Sequence, residues 1–267
     1  MPKKYFLLLL FVAGAVTGFS TNISAWGHDG HSAVGIMALD NLQTDARSEL
    51  QRVLGSLDNQ TIIEACNWPD KVRPTAEWEW TYPLHFINIP KGVASYAEAR
   101  DCPDKLCVTE AIKKYALQLG DRQASQEQRR QAFAFICHFT GDLHQPLHAG
   151  YSGVAYDRGA NDVDITFNGE AMNLHNFWDR ALIEARAGGW RQLIDVVNQH
   201  ARVQAADNWS AGMVDDWTEE SHQLVEDEMY PDHPQLSQGY QDKSWDLLQQ
   251  RILTAASRLA LIVNTVL

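Results

Sequence analysis

The chain has 267 residues, of which 45% are hydrophobic and 21% are charged, an ordinary composition for a globular protein. Its 34 acidic and 22 basic residues give a formal net charge of −12. This balance excludes a protein that binds nucleic acid non-specifically through a basic surface. It does not exclude a metal-centred enzyme, because bound divalent cations can reverse the charge of a site locally.

The first 25 residues have the pattern of a secretory signal peptide. Lys3 and Lys4 form a basic start, residues 5–16 are largely apolar, and Ile23-Ser24-Ala25 is a small-residue exit before Trp26. Cleavage there would make the formal charge −14, since the segment contains two lysines and no acidic residue. We therefore expect the mature protein to begin at Trp26 and to be secreted or periplasmic.

The rest of the chain is predicted to be one mainly α domain, since no Pro/Gly/Ser-rich linker or internal repeat divides it. Thr44 is predicted to cap the second helix and Gly55 to end it. A single stretch of alternation, at 163–167, is followed by Asn168-Gly169 and predicts a small β-hairpin. The aperiodic, Pro- and aromatic-containing segment 67–105 predicts a long ordered loop. Helical spacing covers 32–42, 45–54, 106–119, 126–140, 173–187, 190–202, 214–229 and 242–267.

Export would permit disulfides among the four cysteines. Cys102 and Cys107 flank a short turn and could close a small loop. Cys66 and Cys137 have no partner that the sequence identifies, so a bridge and buried free thiols both remain open.

Several histidines and aspartates have the spacing of metal ligands. His138 and Asp142 stand at i, i+4 on one helix, as do His175 and Asp179 on another, and each pair can share one metal ion. Gly141 and Pro146 are predicted to break the first helix around His144 and His148. Asp70 and His85 offer two further ligands.

Each of these features also has an ordinary structural explanation. One His/Asp pair at i, i+4 is often a surface pair, but two such pairs and a His-rich break within 42 residues favour metal binding. His144 is expected to support a ligand. A catalytic Ser or Cys is a weaker hypothesis, because no Gly-x-Ser-x-Gly elbow occurs and Cys137 lies in an apolar helical stretch. Solvent exposure is expected for His28, His200, His222 and His233.

Five motifs together resemble the S1/P1 nuclease family in order and spacing, over essentially the whole mature chain. The resemblance implies a helical fold shared with zinc-dependent phospholipase C. It also implies three zinc ions per chain. The motifs are Trp26-Gly-His-Asp-Gly-His31, Asn67-Trp-Pro-Asp70, His85-Phe-Ile-Asn88, His138-Phe-Thr-Gly-Asp-Leu-His-Gln-Pro-Leu-His148 and Asn173-Leu-His-Asn-Phe-Trp-Asp179.

This chain has the residue type that the family's ligand set requires at every position. The ligand set implies that Asp142 bridges two ions and that the second site stays open to water or substrate. The three sites implied are Asp70, His85, His138 and Asp142; then His148, His175 and Asp179; then the α-amino nitrogen and carbonyl oxygen of Trp26 with His31 and Asp142.

The resemblance also implies hydrolysis of single-stranded DNA and RNA to 5′-nucleotides, with 3′-nucleotidase activity. Asp70 would orient the attacking water and Arg73 would contact the phosphate, although Arg73 could also be an ordinary surface residue. Phe86 would stack on a base. Asn88 stands where fungal relatives carry Asp, which favours a broader base preference. No membrane association and no obligate protein partner are expected.

Two functions other than a nuclease predict different sequence features. A phospholipase C of the same fold would place its first histidine farther from the N-terminal Trp and would end its ligand set with Glu. This chain has His31 five residues after Trp26 and ends the set with Asp179. A non-enzymatic periplasmic zinc-binding protein would need neither Phe86 nor Arg73.

Overall fold

The computed structural model of the chain describes residues 26–200 and 208–267. The predicted signal peptide and residues 201–202 of the predicted helix 190–202 therefore lie outside the described residues. The described part is mainly helical, as predicted. Its α-helices are α1 (Gly27–Leu39), α2 (Thr44–Leu54), α3 (Asn59–Val72), α4 (Glu98–Asp101), α5 (Val108–Gly120), α6 (Gln126–His144), α7 (Leu174–Asn176), α8 (Leu182–Arg186), α9 (Trp190–Val197), α10 (Gly212–Asp227) and α11 (Gln238–Val266).

Helix α6 is the centre of the fold. Ser125 and Gln128 form a capping box at its N-terminus, and all residues from 132 to 144 are buried. A helix that is buried on every side must be covered all round, and α1, α3, α5 and α11 pack against it. Ligands carried on this part of α6 are therefore enclosed by packed helices. The apolar run at 259–263 is likewise buried, within α11.

Two small sheets complete the described fold. Strands β3 (Asp164–Phe167) and β4 (Glu170–Asn173) are antiparallel, and the Asn168-Gly169 turn between them has positive φ at both residues, which confirms the predicted hairpin. Strands β1 (Ile87–Pro90) and β2 (Ala149–Ser152) are parallel, with Ile87 opposite Ala149. The sequence did not predict this second pair, because four-residue strands far apart in the chain show too little alternation.

The predicted long loop at 67–105 was wrong at its start. Helix α3 continues through Pro69 to Val72, so Asp70 lies on a helix and Arg73 lies at its C-cap. Asp58 caps this helix by accepting from the Thr61 amide at 2.8 Å. Pro69 removes one backbone hydrogen bond from this helix, but the packing of α3 against α6 and α1 keeps the helix continuous to Val72. The rest of the segment includes a 3₁₀ helix, Glu79–His85.

Helix boundaries also differ near the motifs. Helix α1 begins at Gly27 rather than residue 32, and Gln43 rather than Thr44 takes the N-cap position of α2, whereas Gly55 is the C-cap as predicted. Gly141 does not break α6, which runs on to His144. Glycine is required there by packing, because a Cβ at Gly141 would lie 2.7 Å from Nδ1 of His31.

Both pairs of cysteines form disulfides. Cys102 is bonded to Cys107 as expected, and Cys66 is bonded to Cys137, so the free-thiol alternative was wrong. The second bridge joins α3 to α6. Among the described residues, none of the helices is both long and apolar enough to cross a membrane.

One histidine expected at the surface is buried. His222 on α10 is 1% exposed, and its Nδ1 donates to the carbonyl oxygen of Ala149 at 2.7 Å. Its polar neighbours Glu220 and Gln223 are exposed, but His222 lies on the buried face of the helix with Thr218, Ser221 and Val225. His28, His200 and His233 are exposed as expected.

Candidate metal centre and adjoining cleft

Three of the predicted histidine ligands are oriented by backbone carbonyl groups. Each donates through Nδ1 to a carbonyl oxygen, which directs Nε2 toward the candidate metal site. Such hydrogen bonds commonly fix the tautomer and the ring direction of a ligand. The three contacts are His138 to Cys66 at 2.9 Å, His148 to His85 at 2.6 Å and His175 to Gly159 at 2.6 Å.

Four predicted ligand atoms converge between α3, the end of the 3₁₀ helix and α6. They are Oδ1 of Asp70, Nδ1 of His85, Nε2 of His138 and Oδ2 of Asp142. Five distances between them are 2.9, 3.1, 3.4, 3.5 and 3.6 Å. A tetrahedral zinc site with bonds near 2.0–2.1 Å has ligand–ligand edges of about 3.3 Å. Three of these atoms, on His85, His138 and Asp142, lie within 4.8 Å of one another, as ligands of one ion do, and Asp70 lies beside them.

A second group lies where the chain enters the helical segment 174–186. Nε2 of His175 and Oδ2 of Asp179 are 3.1 Å apart, and His148 completes a set whose ligand atoms all lie within 4.8 Å. Nε2 of His148 is buried without a hydrogen-bond partner among the described residues. Such a buried nitrogen is costly unless a ligand satisfies it, which fits a metal ion.

A residue that the sequence reasoning missed supports this second group. Gln145 follows α6 directly, and its side-chain amide donates to Oδ1 of Asp179 at 2.7 Å. This contact leaves Oδ2 of Asp179 directed at His175. Gln145 could have been found from the sequence, because it lies inside the Gly-Asp-Leu-His-Gln-Pro-Leu-His segment between the ligands Asp142 and His148.

Asp142 connects the first group to a third. Its Oδ2 belongs to the first group, while Oδ1 lies 3.3 Å from Nε2 of His31. Both ring nitrogens of His31 lack a hydrogen-bond partner among the described residues, and its ring stacks on His138 at 3.9 Å. Ligand atoms of His31, Asp70 and His138 also lie within 4.8 Å of one another, so the groups form one continuous centre.

Trp26 is anchored beside His31. Its side chain is fully buried, and its indole N–H donates to the carbonyl oxygen of Gly141 at 2.9 Å. The chain therefore holds the predicted first residue of the mature protein against the third group. The role of its main-chain amine as a ligand stays a prediction.

The charge states of the buried carboxylates and imidazoles in this centre favour the binding of a cation. Burial alone would raise the pKa of Asp142, but the charge of His138 and the close contacts of His31 and His85 hold it well below its usual range. Burial lowers the pKa of His148 to about 4, which keeps its imidazole neutral at physiological pH. Burial likewise opposes the charge on His138, yet Asp142 and Asp70 raise its pKa to about 9. A cluster that retains its carboxylate charges attracts cations strongly.

The C-terminal end of α6 is fixed by side chains from two other helices. Ser221 donates to the carbonyl oxygen of Leu143 at 2.6 Å, and Arg251 donates to that of His144 at 3.0 Å. His144 is buried, and its own ring faces Arg258 at 2.8 Å rather than a metal ligand. The expectation that His144 supports a ligand was therefore wrong, because its ring contacts the Thr140 carbonyl and Arg258 instead.

Arg73 lies next to the first group rather than on the open surface. Its guanidinium is 3.3 Å from Oδ1 of Asp70, and its side chain is only 11% exposed. It also lies 5.6 Å above the ring of Tyr82. The explanation of Arg73 as an ordinary surface residue does not fit this position.

Phe86 and Asn88 line a cleft that opens directly onto the second group. Sequence reasoning missed its other walls, because no local pattern marks residues that converge only in the fold. Those walls are Tyr82, Leu147, Tyr156, Arg158, Gly159 and Asn161, with His148 and His175 at the metal end.

The fold and these groups define a mainly helical protein built around buried His/Asp clusters that could hold metal ions. A family model described as S1/P1 Nuclease matches residues 26–267. The chain therefore belongs to the S1/P1 nuclease family, as the motifs predicted.

Individual relatives show the same relationship. Endonuclease 3 of Arabidopsis thaliana is 34% identical to this chain, over 60% of the length of this chain and 55% of the length of the relative. Nuclease P1 of Penicillium citrinum is 34% identical over 61% of this chain and 60% of its own. Nuclease S1 of Aspergillus oryzae is 27% identical over 94% of the length of this chain and 95% of its own length. The matches to Endonucleases 3, 4 and 5 span only 55–62% of the length of those relatives.

Proposed function

We propose that this chain is a secreted, zinc-dependent phosphodiesterase that hydrolyses single-stranded DNA and RNA to 5′-nucleotides, with 3′-nucleotidase activity. The observation that carries the proposal is a buried His/Asp cluster whose neighbouring ligand atoms lie 2.9–3.6 Å apart, beside a cleft lined by an aromatic ring. The names of the nuclease relatives support the reaction class. Residues 1–25 would direct export and residues 26–267 would form the catalytic domain.

The metal complement proposed is three zinc ions. Asp70, His85, His138 and Asp142 would hold one, and His148, His175 and Asp179 a second. The amine and carbonyl of Trp26, with His31 and Asp142, would hold the third. When bound, zinc supplies Lewis-acid stabilisation of phosphate charge and lowers the pKa of water toward neutrality. The opposed orientation of the two Asp142 oxygens supports its role as the shared ligand.

The chain's own residues would position substrate and water. Asp70 would accept a hydrogen bond from the attacking water and orient it toward phosphorus. Arg73, held against Asp70, would donate to a non-bridging phosphate oxygen, where a planar guanidinium suits the developing charge. The two groups are adjacent, so water and phosphate would meet in one place.

The cleft would select an unpaired base. Phe86 presents a half-buried ring to it, and stacking on an aromatic ring tolerates any base. Asn88 would hydrogen-bond a base edge through an amide that both donates and accepts, which favours broad base preference. A base within a duplex has no free face, so single strands would be preferred.

Purified mature protein should test the proposal directly. Hydrolysis of single-stranded DNA, single-stranded RNA and 3′-nucleotides would be measured beside hydrolysis of phosphatidylcholine, with metal content determined on the same sample. We expect cleavage of the nucleic acids and nucleotides only, about three zinc ions per chain, and loss of activity with chelator. Phosphatidylcholine hydrolysis would indicate a phospholipase. A zinc-loaded protein without activity on any substrate would indicate a binding protein.

A further inference from the structure

A second depression of the surface reaches the metal centre, between the start of α1 and the outer face of α3. We call it the α3 groove. Asp70, a proposed ligand of the first group, forms part of its wall, together with His28, Gln60, Glu64, Asn67, Trp68 and Lys71. Within the described part of the chain, this wall shares no residue with the cleft that contains Phe86. The centre therefore has two separate openings, the cleft at the second group and the α3 groove at the first.

The proposed reaction requires room on both sides of the phosphorus atom. Formation of a 5′-phosphate breaks the bond between phosphorus and the 3′-oxygen: water supplies the new oxygen on phosphorus, and the 3′-oxygen leaves with a proton. If the base of the nucleotide that keeps the 3′-oxygen lies in the cleft beside His148 and His175, the rest of the strand must leave the centre on another side. A 3′-nucleotide has nothing beyond its phosphate, so only a strand could use the second opening.

The polar side chains of the α3 groove suit a nucleic-acid backbone. Lys71 is exposed in the last turn of α3, directly after Asp70, and the His28 side chain is 62% exposed at the opposite rim. Glu64 would repel phosphate, but its carboxylate already accepts a hydrogen bond from the Gln60 side chain at 2.6 Å. A flexible lysine at a groove rim can follow a phosphate without demanding one fixed geometry.

The floor of the α3 groove is held by contacts within the protein. The Asn67 amide donates to the Ser32 hydroxyl at 3.1 Å. The Trp68 ring packs edge-on against Trp78 and Phe135, with centroid distances of 4.9 and 5.4 Å. A wall that is formed before binding adds little ordering cost to the binding of a flexible strand.

We propose that the α3 groove binds the nucleotide on the 3′ side of the scissile phosphate, and that Lys71 contacts a backbone phosphate of that part of the strand. The inference rests on the proposed nuclease function and assigns a site to the half of the strand that the cleft does not hold. Binding in the groove is available only to a substrate that extends beyond the scissile phosphate. The groove therefore favours polynucleotides over 3′-nucleotides.

A series of charges at position 71 would test this site. Lys71→Arg, Lys71→Gln and Lys71→Glu would be compared with the wild type on a single-stranded oligonucleotide of one repeated base and on the 3′-nucleotide of the same base. Lys243→Gln is the matched control. Lys243 is a 63% exposed lysine on α11 that lines neither the cleft nor the α3 groove.

We expect Lys71→Gln to raise KM for the oligonucleotide by roughly threefold to tenfold near 0.1 M salt, and to reduce the slope of log KM against log salt by about 0.7, the value for one phosphate contact on a single strand. Lys71→Glu should raise KM further, and Lys71→Arg should stay near the wild type. The increases should be confined to the oligonucleotide, with zinc content at the wild-type level. Lys243→Gln should leave KM for both substrates unchanged.

Two results would overturn the inference. A graded loss of equal size on both substrates would show that Lys71 acts on the metal centre rather than on the strand. An unchanged KM and salt slope for the oligonucleotide across the series would show that no phosphate lies at Lys71. Failure of the proposed nuclease function is a separate result, because the wild type itself would then leave both substrates intact.

Discussion

Removing the Cys66–Cys137 disulfide should affect both stability and the metal centre. The bridge closes a loop with a sequence separation of 71, whereas Cys102–Cys107 closes one of 5. Loop-closure entropy gives about 4 kcal/mol of stabilisation for the long loop and about 2 kcal/mol for the short one. Replacing each pair by alanine should therefore lower the free energy of unfolding by amounts that differ about twofold.

The long bridge also orders proposed metal ligands. It joins α3, which carries Asp70, to α6, which carries His138 and Asp142. The carbonyl of Cys66 accepts the Nδ1–H of His138 at 2.9 Å. If α3 shifts relative to α6, the ligand-to-ligand distances of the first group change together. We therefore expect weaker zinc binding in the Cys66→Ala/Cys137→Ala variant.

Urea unfolding in chelator would isolate the effect on the chain, and zinc titration of the folded variants would report the effect on the centre. The Cys102→Ala/Cys107→Ala variant is the matched control and should keep wild-type zinc affinity. Equal stability losses in the two variants would refute the loop-length reasoning. Wild-type zinc affinity without the long bridge would refute its role in ordering the ligands.

Three further predictions follow from the proposed centre. Asp142→Asn should lower metal content by more than one ion per chain, since an amide cannot bridge, whereas Asp179→Asn should lower it by no more than one; equal losses would contradict the shared ligand. Phe86→Ala should weaken single-strand cleavage by roughly tenfold to a hundredfold with zinc content intact, from the stacking range; unchanged cleavage would make Phe86 a packing residue only. A non-removable residue before Trp26 should reduce zinc content and activity, because an amide nitrogen has no lone pair for a metal. Equal values in processed and extended protein would rule that out.

The sequence determined the candidate ligands because metal coordination restricts residue type and local spacing. His138 and Asp142, and likewise His175 and Asp179, are neighbours on one helical face whatever surrounds them, so four residues of separation sufficed to pair them. Helical periodicity also predicted most helices, since the period of burial is a local property. The Asn168-Gly169 turn was equally local, because positive φ at two residues restricts the residue types.

Tertiary structure decided how the parts combine. The pairing of Cys66 with Cys137, the parallel strands β1 and β2 and the burial of His222 depend on contacts between segments far apart in the chain. No local pattern encodes such contacts. Pro69 remains helical because α3 is held against α6 by packing and by the disulfide. Arg158 lines the cleft because the fold brings its turn next to His175. A cleft wall is assembled from separate segments, so its residues become neighbours only when the core between them has packed.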